Sequence, residues 1–486
     1  MTYRRLTQNI HLWLTPLVVL AVLALSAILP VANMLVLDNT VLVPAAIIGL
    51  IIGTGLLVAF WNWPSLGLVA MVPASLVVAL AVGTGSEYST LHAAFLLLML
   101  LLGLWGAKML LKRELRLVWS RPVLPLLAFI LVDLFSFAFG QLPWYFFPGA
   151  PVRAQLGGLI IVPLSVGAFV LVAQQIRDIR WLEAMTWVFL ALGTVFILGR
   201  LYPSFGWRLY DAVRQPGVNG EMTYGFFQPG TDGSLTYMLI VALAFSQAVF
   251  NRRLNLLVRG ALVGLVMMTL YYTLIEERGW VSGWLPPLVA IVAILWAGAP
   301  RFGMAATLVG AAGILVKLQS VISKVMIGDN SYSLSTRLDA WKIVWDITKI
   351  SPIFGLGPSN YYGYSERFGI RGYNVKFVSH NNFVDIVAQY GLLGLGCFLW
   401  FAGEFAWLGW KLRSRVPRGF ARAYVIGSVG MIAGTMAAAA LGDWVLPFVY
   451  NIGFTGFRSS VLGWLFLGGL VAIEKIYLDH PPEPAE

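Results

Sequence analysis

Charged residues are scarce in this sequence. They make up 11% of its 486 residues, whereas 59% are hydrophobic, which is more apolar surface than a soluble domain can bury. This composition excludes a soluble globular protein and indicates that lipid is the solvent. Cysteine is also nearly missing, since Cys397 stands alone within an apolar run. A disulfide framework and a cysteine metal site are therefore excluded.

Apolar runs of about twenty residues recur along the chain, the length with which an α-helix crosses a hydrocarbon core of ~30 Å. No alternating pattern typical of a membrane β-barrel accompanies them. The sequence predicts an all-α polytopic membrane protein with about 14 transmembrane helices, within a range of roughly 12–14 because prolines interrupt some runs. The predicted spans are 14–36, 41–60, 66–83, 92–111, 122–141, 157–174, 182–199, 231–250, 256–274, 281–299, 302–317, 383–408, 423–442 and 459–474.

Lysine and arginine concentrate in alternate connecting segments, and short basic segments stay in the cytoplasm. This places both termini on the cytoplasmic side of the membrane. We predict one integral membrane domain, 1–475, followed by a short cytoplasmic tail, 476–486. Much of the net charge of +11 lies in these inside segments, where it faces anionic lipid headgroups. The basic character therefore indicates membrane lipids as partners and no nucleic acid.

Two long loops, about 200–230 and 318–382, fall on the predicted outer face. The first contains Arg200, Arg208 and Arg214 among aromatic residues. Such a loop binds either a phosphate-bearing substrate or simply lipid headgroups. The second contains an amphipathic helix predicted over 335–350, whose Leu338, Trp341 and Trp345 are spaced to form one stripe.

The second loop contains three consecutive motifs: STRLDAWKIVW, with Arg337; PIFGLGPSNYY, a proline and glycine turn; and SHNNFVDIVAQYGLLGLG, in which His380 and Asn381 open a glycine-rich helix. Together they resemble the signature loop of the O-antigen ligase and O-antigen polymerase superfamily of bacterial membrane glycosyltransferases. Upstream, TLIEERGWVSGW resembles the family's Ser-Arg-Gly stretch, with Arg278 in the arginine position. The resemblance covers residues 273–400.

Three departures from the family pattern stand out. Gln389 replaces the glutamate usual nine residues after the histidine, and Glu277 replaces the serine before Arg278. The turn GFFQPGTDG lacks the arginine often found just upstream, so Arg208 or Arg214 would have to serve instead.

The resemblance implies a fold of the C-type glycosyltransferase kind, capped by the long loop, and a metal-independent, inverting transfer. A glycan would move from a polyprenyl diphosphate carrier, most simply undecaprenyl diphosphate, to an acceptor hydroxyl on a lipid-linked or carrier-linked saccharide at the outer face. His380 would activate the acceptor hydroxyl or hydrogen-bond the leaving diphosphate, while Arg278 and Arg337 would neutralise the diphosphate. Asn381 and Asn382 join the three loop arginines as substrate-binding candidates, and no cofactor is expected.

Each candidate also has a structural explanation. His380 could cap a helix at the membrane interface, Arg278 could pair with its neighbouring glutamates, and Arg337 could lie on a solvated helix face. Asp385 shares a helical stripe with Asn381 and Gln389. It would either orient the His380 region or hydrogen-bond between helices.

Alternative functions also remain. Ligases that transfer to lipid A core, polymerases that extend the carrier-linked chain, and ligases that modify protein share the signature. A transporter or flippase of lipid-linked sugar would also need a basic cavity and many helices. That class predicts an essential charge within the membrane, such as Asp133, and no dependence on His380.

Overall fold

The computed structural model describes residues 53–78, 81–83, 90–114, 117, 119–202, 204, 214–216, 222–224, 233–316 and 329–479. Two compact units are present, Met1–Gly67 and Leu68–Glu486. Residues 53–62 of the first unit are helical. The predicted span 14–36, most of the span 41–60 and the end of the predicted tail lie outside the described residues.

Helices form nearly all of the described chain. In order they are α1 (Pro64–Leu76), α2 (Ala93–Lys112), α3 (Val123–Phe139), α4 (Val152–Gln175), α5 (Ile179–Leu201), α6 (Ser234–Phe250), α7 (Leu256–Tyr271), α8 (Val281–Gly298), α9 (Pro300–Val316), α10 (Asp329–Thr348), α11 (Asn360–Ser365), α12 (Asn382–Leu412), α13 (Phe420–Leu441) and α14 (Gly453–Glu474). A π-helical turn extends α7 over Tyr272–Glu276, and another extends α14 over Lys475–Asp479.

Eight of these helices, with their extensions, are long and apolar enough to cross a membrane: α2, α4, α5, α7, α8, α12, α13 and α14. Three shorter apolar helices, α1, α3 and α6, lie between them. This is the architecture of an all-α polytopic membrane protein, as the composition predicts. Helices α10 and α11 lie within the predicted loop 318–382.

Two short antiparallel hairpins interrupt the helical pattern. Strand β1 (Ala81–Gly83) pairs with β2 (Thr90–His92), and β3 (Arg214–Pro216) pairs with β4 (Met222–Tyr224). The predicted span 66–83 is therefore wrong at its end, because the helix stops at Leu76 and the chain turns into a strand.

The last predicted span, 459–474, begins too late. Helix α14 begins at Gly453, so Arg458 lies inside the helix and not on a short outside loop. Arg458 is only 1% exposed, and its Nε donates to the carbonyl of Ser75 at the end of α1. A buried guanidinium thus satisfies a carbonyl that the helix leaves open, and such pairing is what makes a buried cation tolerable.

The segments predicted to lie outside contact one another. Tyr145 donates to the carbonyl of Ile347 at 2.7 Å, and Asn382 donates to the carbonyl of Leu446, also at 2.7 Å. At the opposite end of the helices, Ser120 donates to Glu474 at 2.6 Å, which joins two segments predicted to lie inside. Segments assigned to the same side by the charge distribution thus meet at the same end of the bundle, and the side of the membrane that each end faces stays a prediction.

Helix α12 is broken at Gly391, whose φ of 68° and ψ of −169° are outside the helical region. In an unbroken helix the N–H groups of Leu392 and Leu393 would donate to Ala388 and Gln389. They donate instead to the carbonyls of Pro352 and Ile353, at 2.8 and 3.3 Å. The freed carbonyls of Ala388 and Gln389 accept from Leu356 and Gly357, at 2.9 and 3.0 Å. The Pro352–Gly357 turn thus satisfies all four backbone groups at the break.

Close backbone packing makes this exchange possible. A Cβ on Gly391 would lie 2.0 Å from the carbonyl oxygen of Ile353, and one on Gly355 would lie 2.6 Å from the backbone of Gln389. Shortly after the turn, Asn360 ties it to the end of α3 by donating to the carbonyls of Gly140 and Leu356 at 3.1 and 2.8 Å. The turn is therefore fixed between α3 and α12.

We predict that Gly391→Ala prevents stable folding. Alanine would clash with Ile353 and would occupy a backbone region that essentially only glycine adopts, which by itself costs about 1–3 kcal/mol. Thermal unfolding of the detergent-solubilised protein, followed by size-exclusion chromatography, measures the effect. Gly396→Ala is the matched control, since Gly396 lies on the same helix with open space around its Cα. Equal melting temperatures for the two variants would contradict the packing at the break.

Candidate functional site

Helix α10 is held by one apolar face to the end of the bundle that is predicted to lie outside. Ala340, Val344 and Ile347 are buried, whereas Leu338 and Trp345 of the predicted stripe are each 45% exposed. Trp341 keeps one polar contact, as its Nε1 donates to the carbonyl of Ser379 at 2.7 Å. The helix therefore packs on the protein through the face of Ala340, Val344 and Ile347, and Trp341 ties it to the segment that carries His380.

A buried network lies beneath this segment. The hydroxyls of Tyr361 and Ser379 both donate to Oδ1 of Asp385, at 2.6 and 2.7 Å. Tyr361 is fully buried, and burial raises its pKa well above the usual value, so its hydroxyl keeps the proton that it donates. The network fixes the chain just before α12.

Asn381 and Asn382 begin α12. The side chain of Asn381 caps the helix by accepting from the N–H groups of Phe383 and Val384. Asn382 is fully buried, donates to the carbonyl of Leu446 and accepts from the N–H groups of Val445 and Leu446. Their role in substrate binding stays a prediction, and both side chains have defined partners within the protein.

Gln389 occupies the position where the family pattern has glutamate. Its Oε1 accepts from the N–H of Ser359 at 2.9 Å, and its Nε2 donates to the carbonyl of Asp385 at 3.3 Å. The amide supplies the donor that an ionised carboxylate lacks, so this departure has a structural explanation.

His380 lies half-buried between these elements in a left-handed backbone conformation, with φ of 51°. Its Nδ1 is 3.2 Å from Nδ2 of Asn451. Burial and the nearby positive charge of Arg337 both lower the pKa of His380. The imidazole is therefore neutral at pH 7.

Asn451 and Asp443 come from the segment between α13 and α14. Nδ2 of Asn451 donates to Oδ1 of Asp443 at 2.6 Å, and the other carboxylate oxygen accepts from the N–H of Phe448 at 2.9 Å. Burial raises the pKa of Asp443, while these hydrogen bonds favour its charged form. The result is a chain of contacts from Asp443 through Asn451 to His380.

Arg337 approaches His380 from α10. Burial lowers the pKa of its guanidinium, which nevertheless remains charged at neutral pH. Its Nε is buried and has no hydrogen-bond partner in the part of the chain that the structure describes. A buried donor of this kind is costly unless a ligand satisfies it.

Arg278 occupies an exposed turn after the π-helical extension of α7. The turn is anchored by Trp280, whose indole packs edge-on against Trp444 at 5.8 Å between centroids. Trp444 directly follows Asp443. The structure thus places the turn of Arg278 beside the segment that reaches His380, and the role of Arg278 stays a prediction.

The three arginines of the first long loop are less informative. Arg200 ends α5 with its guanidinium 5.4 Å from the centroid of Phe196. Arg214 lies in β3, opposite Tyr224. Arg208 lies outside the described residues. Their predicted role in substrate binding stays a prediction.

Sequence reasoning missed Asp443, Asn451 and Tyr361. The segment GDWVLPFVYN carries the first two on the predicted outer face, and its mixture of polar and aromatic residues was the available signal. Nothing local connects it to His380, because the contact spans 71 residues. Tyr361 lies within the turn motif, whose interpretation rested on its glycine and proline residues.

Residues 222–399 match the family model described as O-antigen ligase. The match supports the resemblance of this segment to the O-antigen ligase superfamily and suggests an enzyme of the glycosyltransferase kind. No curated protein matches the chain.

We predict that Asn382→Ala lowers stability more than Asn381→Ala. The first change leaves several buried backbone groups of Val445 and Leu446 without partners, at about 1–3 kcal/mol for each unsatisfied group. The second removes a helix cap worth about 0.5–2 kcal/mol. Thermal unfolding of the purified variants gives the comparison, and a larger loss for Asn381→Ala would contradict the roles described.

Proposed function

We propose that the protein transfers a glycan from a polyprenyl diphosphate carrier to an acceptor hydroxyl at the outer face of the bacterial inner membrane. The observation that carries this proposal is the buried, unsatisfied Nε of Arg337 beside a neutral histidine. The family match supports the reaction class.

The surroundings of Arg337 favour an anionic ligand. Two residues further along α10, Asp339 is engaged with Arg371 at 2.8 Å. A guanidinium presents several donors in a fixed plane, which suits the oxygens of a diphosphate. Arg278, on its exposed turn, would supply a second positive charge from another direction. The arginines would thus do the work for which many glycosyltransferases use a divalent metal.

The reaction is a direct displacement. The acceptor oxygen forms a bond to the anomeric carbon while the bond from that carbon to the diphosphate breaks, and the electron pair stays on the diphosphate oxygen. The hydroxyl gives up one proton, and the freed diphosphate oxygen can take one up, so the charges balance. Attack opposite the leaving group inverts the anomeric centre.

The transporter alternative rests on Asp133. This residue is fully buried in α3, and both of its carboxyl oxygens have no hydrogen-bond partner among the described residues. A flippase would require its charge, whereas the transferase does not use it. Asp133→Asn therefore separates the two functions. If the protein is the transferase, the variant retains glycan transfer. If the protein is a flippase, glycan transfer is lost, and only in intact cells.

The acceptor is the open part of the proposal. We expect a saccharide linked to lipid or to the carrier, as in ligases and polymerases of the superfamily. Offering lipid A core, carrier-linked glycan and a protein acceptor in parallel to the purified protein identifies the acceptor class directly.

We predict that Arg337→Ala lowers the rate of transfer by about 10²–10³, the effect of removing one preorganised donor from developing negative charge. Arg337→Lys should recover only part of the loss, since an ammonium cannot form the paired hydrogen bonds. The assay uses a defined polyprenyl diphosphate glycan with the purified protein in lipid nanodiscs. Lys349→Ala, which changes an exposed cation directly after the same helix, is the control. Equal rates for Arg337→Ala and the control would refute the role of Arg337.

We also predict that His380→Ala abolishes transfer in membrane vesicles supplied with lipid-linked glycan. The ring is the neutral partner of Arg337 at the site, and alanine leaves that position empty. Product formation is followed by the change in mobility of the glycosylated acceptor. Undiminished transfer would show that the site lies elsewhere.

A further inference from the structure

An imidazole beside a diphosphate and an acceptor hydroxyl can play either of two parts. As a general base it takes the hydroxyl proton on a ring nitrogen that carries no hydrogen. As a hydrogen-bond donor it uses a ring nitrogen that carries one. The two roles require opposite tautomers of the neutral ring. The groups that fix the tautomer of His380 therefore determine its role.

A single nitrogen of Asn451 contacts both Asp443 and His380. Nδ2 of Asn451 lies 2.6 Å from Oδ1 of Asp443 and 3.2 Å from Nδ1 of His380. A side-chain amide nitrogen carries two hydrogens, so it donates two hydrogen bonds and accepts no hydrogen bond. With one hydrogen directed at the carboxylate and the other at the ring, Nδ1 of His380 must be the acceptor. The ring proton is then on Nε2.

The orientation of the amide follows from Asp443. If the amide were turned over, its oxygen would face the carboxylate oxygen at the same short distance. Two acceptors at 2.6 Å repel each other unless Asp443 is protonated. Burial raises the pKa of the Asp443 carboxyl, and the N–H groups of Phe448 and Ile452, which donate to it, oppose this effect by favouring the ionised form.

Other ionisable groups surround the chain of contacts. Asp385 on α12 and Tyr361 on α11 are electrostatically linked to Asp443, and Arg337 on α10 is linked to His380. Asp385 accepts from two hydroxyls at Oδ1, whereas the amide of Asn451 binds Asp443. On the other side, the positive charge of Arg337 opposes a second proton on the ring.

We propose that Asp443 and Asn451 are positioning residues that hold His380 in the tautomer protonated on Nε2, so that His380 donates a hydrogen bond to the leaving diphosphate and is not the base for the acceptor. This proposal rests on the proposed function. It corrects the first of the two roles suggested by the sequence and keeps the second. Together with Nε of Arg337, the ring gives the diphosphate two donors from neighbouring elements.

The test exchanges the two side chains in the double variant Asp443→Asn with Asn451→Asp. The new carboxylate at 451 accepts from the amide at 443 and from Nδ1 of His380, so the neutral ring carries its proton on Nδ1. The shape of the contacts is kept while the tautomer is reversed. Transfer is measured between pH 6 and 9, and thermal unfolding verifies that the variant is folded.

The three possible roles of His380 predict different pH profiles. If His380 is a donor, the exchanged variant works while the ring is doubly protonated and loses about tenfold in rate per pH unit above the pKa of the ring. If His380 is a base, the activity of the variant rises with pH, which overturns the proposal. A profile parallel to that of the wild type indicates a merely structural pair and also overturns it.

A second measurement needs neither substrate nor the exchanged double variant. Nitrogen NMR of protein with labelled histidine distinguishes protonated from unprotonated ring nitrogens, and the chain has only four histidines. A His380→Gln sample identifies the signals of His380. We expect Nδ1 unprotonated and Nε2 protonated at pH 7.5, and the reverse pattern overturns the proposal. Since no transfer is measured, this result stands apart from success or failure of the proposed function.

The His380→Gln variant also gives a kinetic comparison. A glutamine amide can donate a hydrogen bond but cannot accept the proton of a hydroxyl at neutral pH. Under the proposal this variant retains at least about tenfold more transfer than His380→Ala, a modest share of the rate expected from one positioned donor. Equal loss in both variants would support the base and contradict the donor.

Discussion

The broken helix α12 is the constraint on which the end of the bundle around His380 depends. Within a membrane protein each unsatisfied backbone group costs several kcal/mol, so a helix can break only where other groups take over its hydrogen bonds. Here the backbone of Pro352–Gly357 does so, group for group, around Gly391. A connecting loop is thereby converted into part of the helix bundle, and its course on either side of the break is determined.

The site follows from this arrangement. Upstream of the turn, α10 brings Arg337 over the start of α12, and Trp341 fixes it to Ser379. Downstream of the turn, Tyr361 joins Ser379 to Asp385 on α12. The last contribution comes from the segment between α13 and α14, held to α12 by Asn382. His380 therefore sits where three separate parts of the chain converge, and its strained backbone is supported on each side.

The sequence predicts the helices well because apolar runs are a local signal. It also selects Arg337 and His380 as candidates, because the turn motif between them is distinctive, and their roles in catalysis stay predictions. It could not identify Asp443 and Asn451, whose relation to His380 depends on how two further helices pack. The start of α14 was misplaced for a related reason, because a buried helix tolerates an arginine only where a partner satisfies it, and the partner of Arg458, the carbonyl of Ser75, is distant in sequence. Long-range pairing of polar groups leaves no periodic trace in a sequence.

The most direct measurement is a structure of the full-length protein in nanodiscs with a polyprenyl diphosphate glycan bound. The central claim is that Arg337 and His380 together receive the diphosphate at the outer end of α12. We expect diphosphate oxygens within hydrogen-bonding distance, about 2.7–3.2 Å, of Nε of Arg337 and Nε2 of His380. A diphosphate bound elsewhere, with both side chains unaltered and unoccupied, would contradict it.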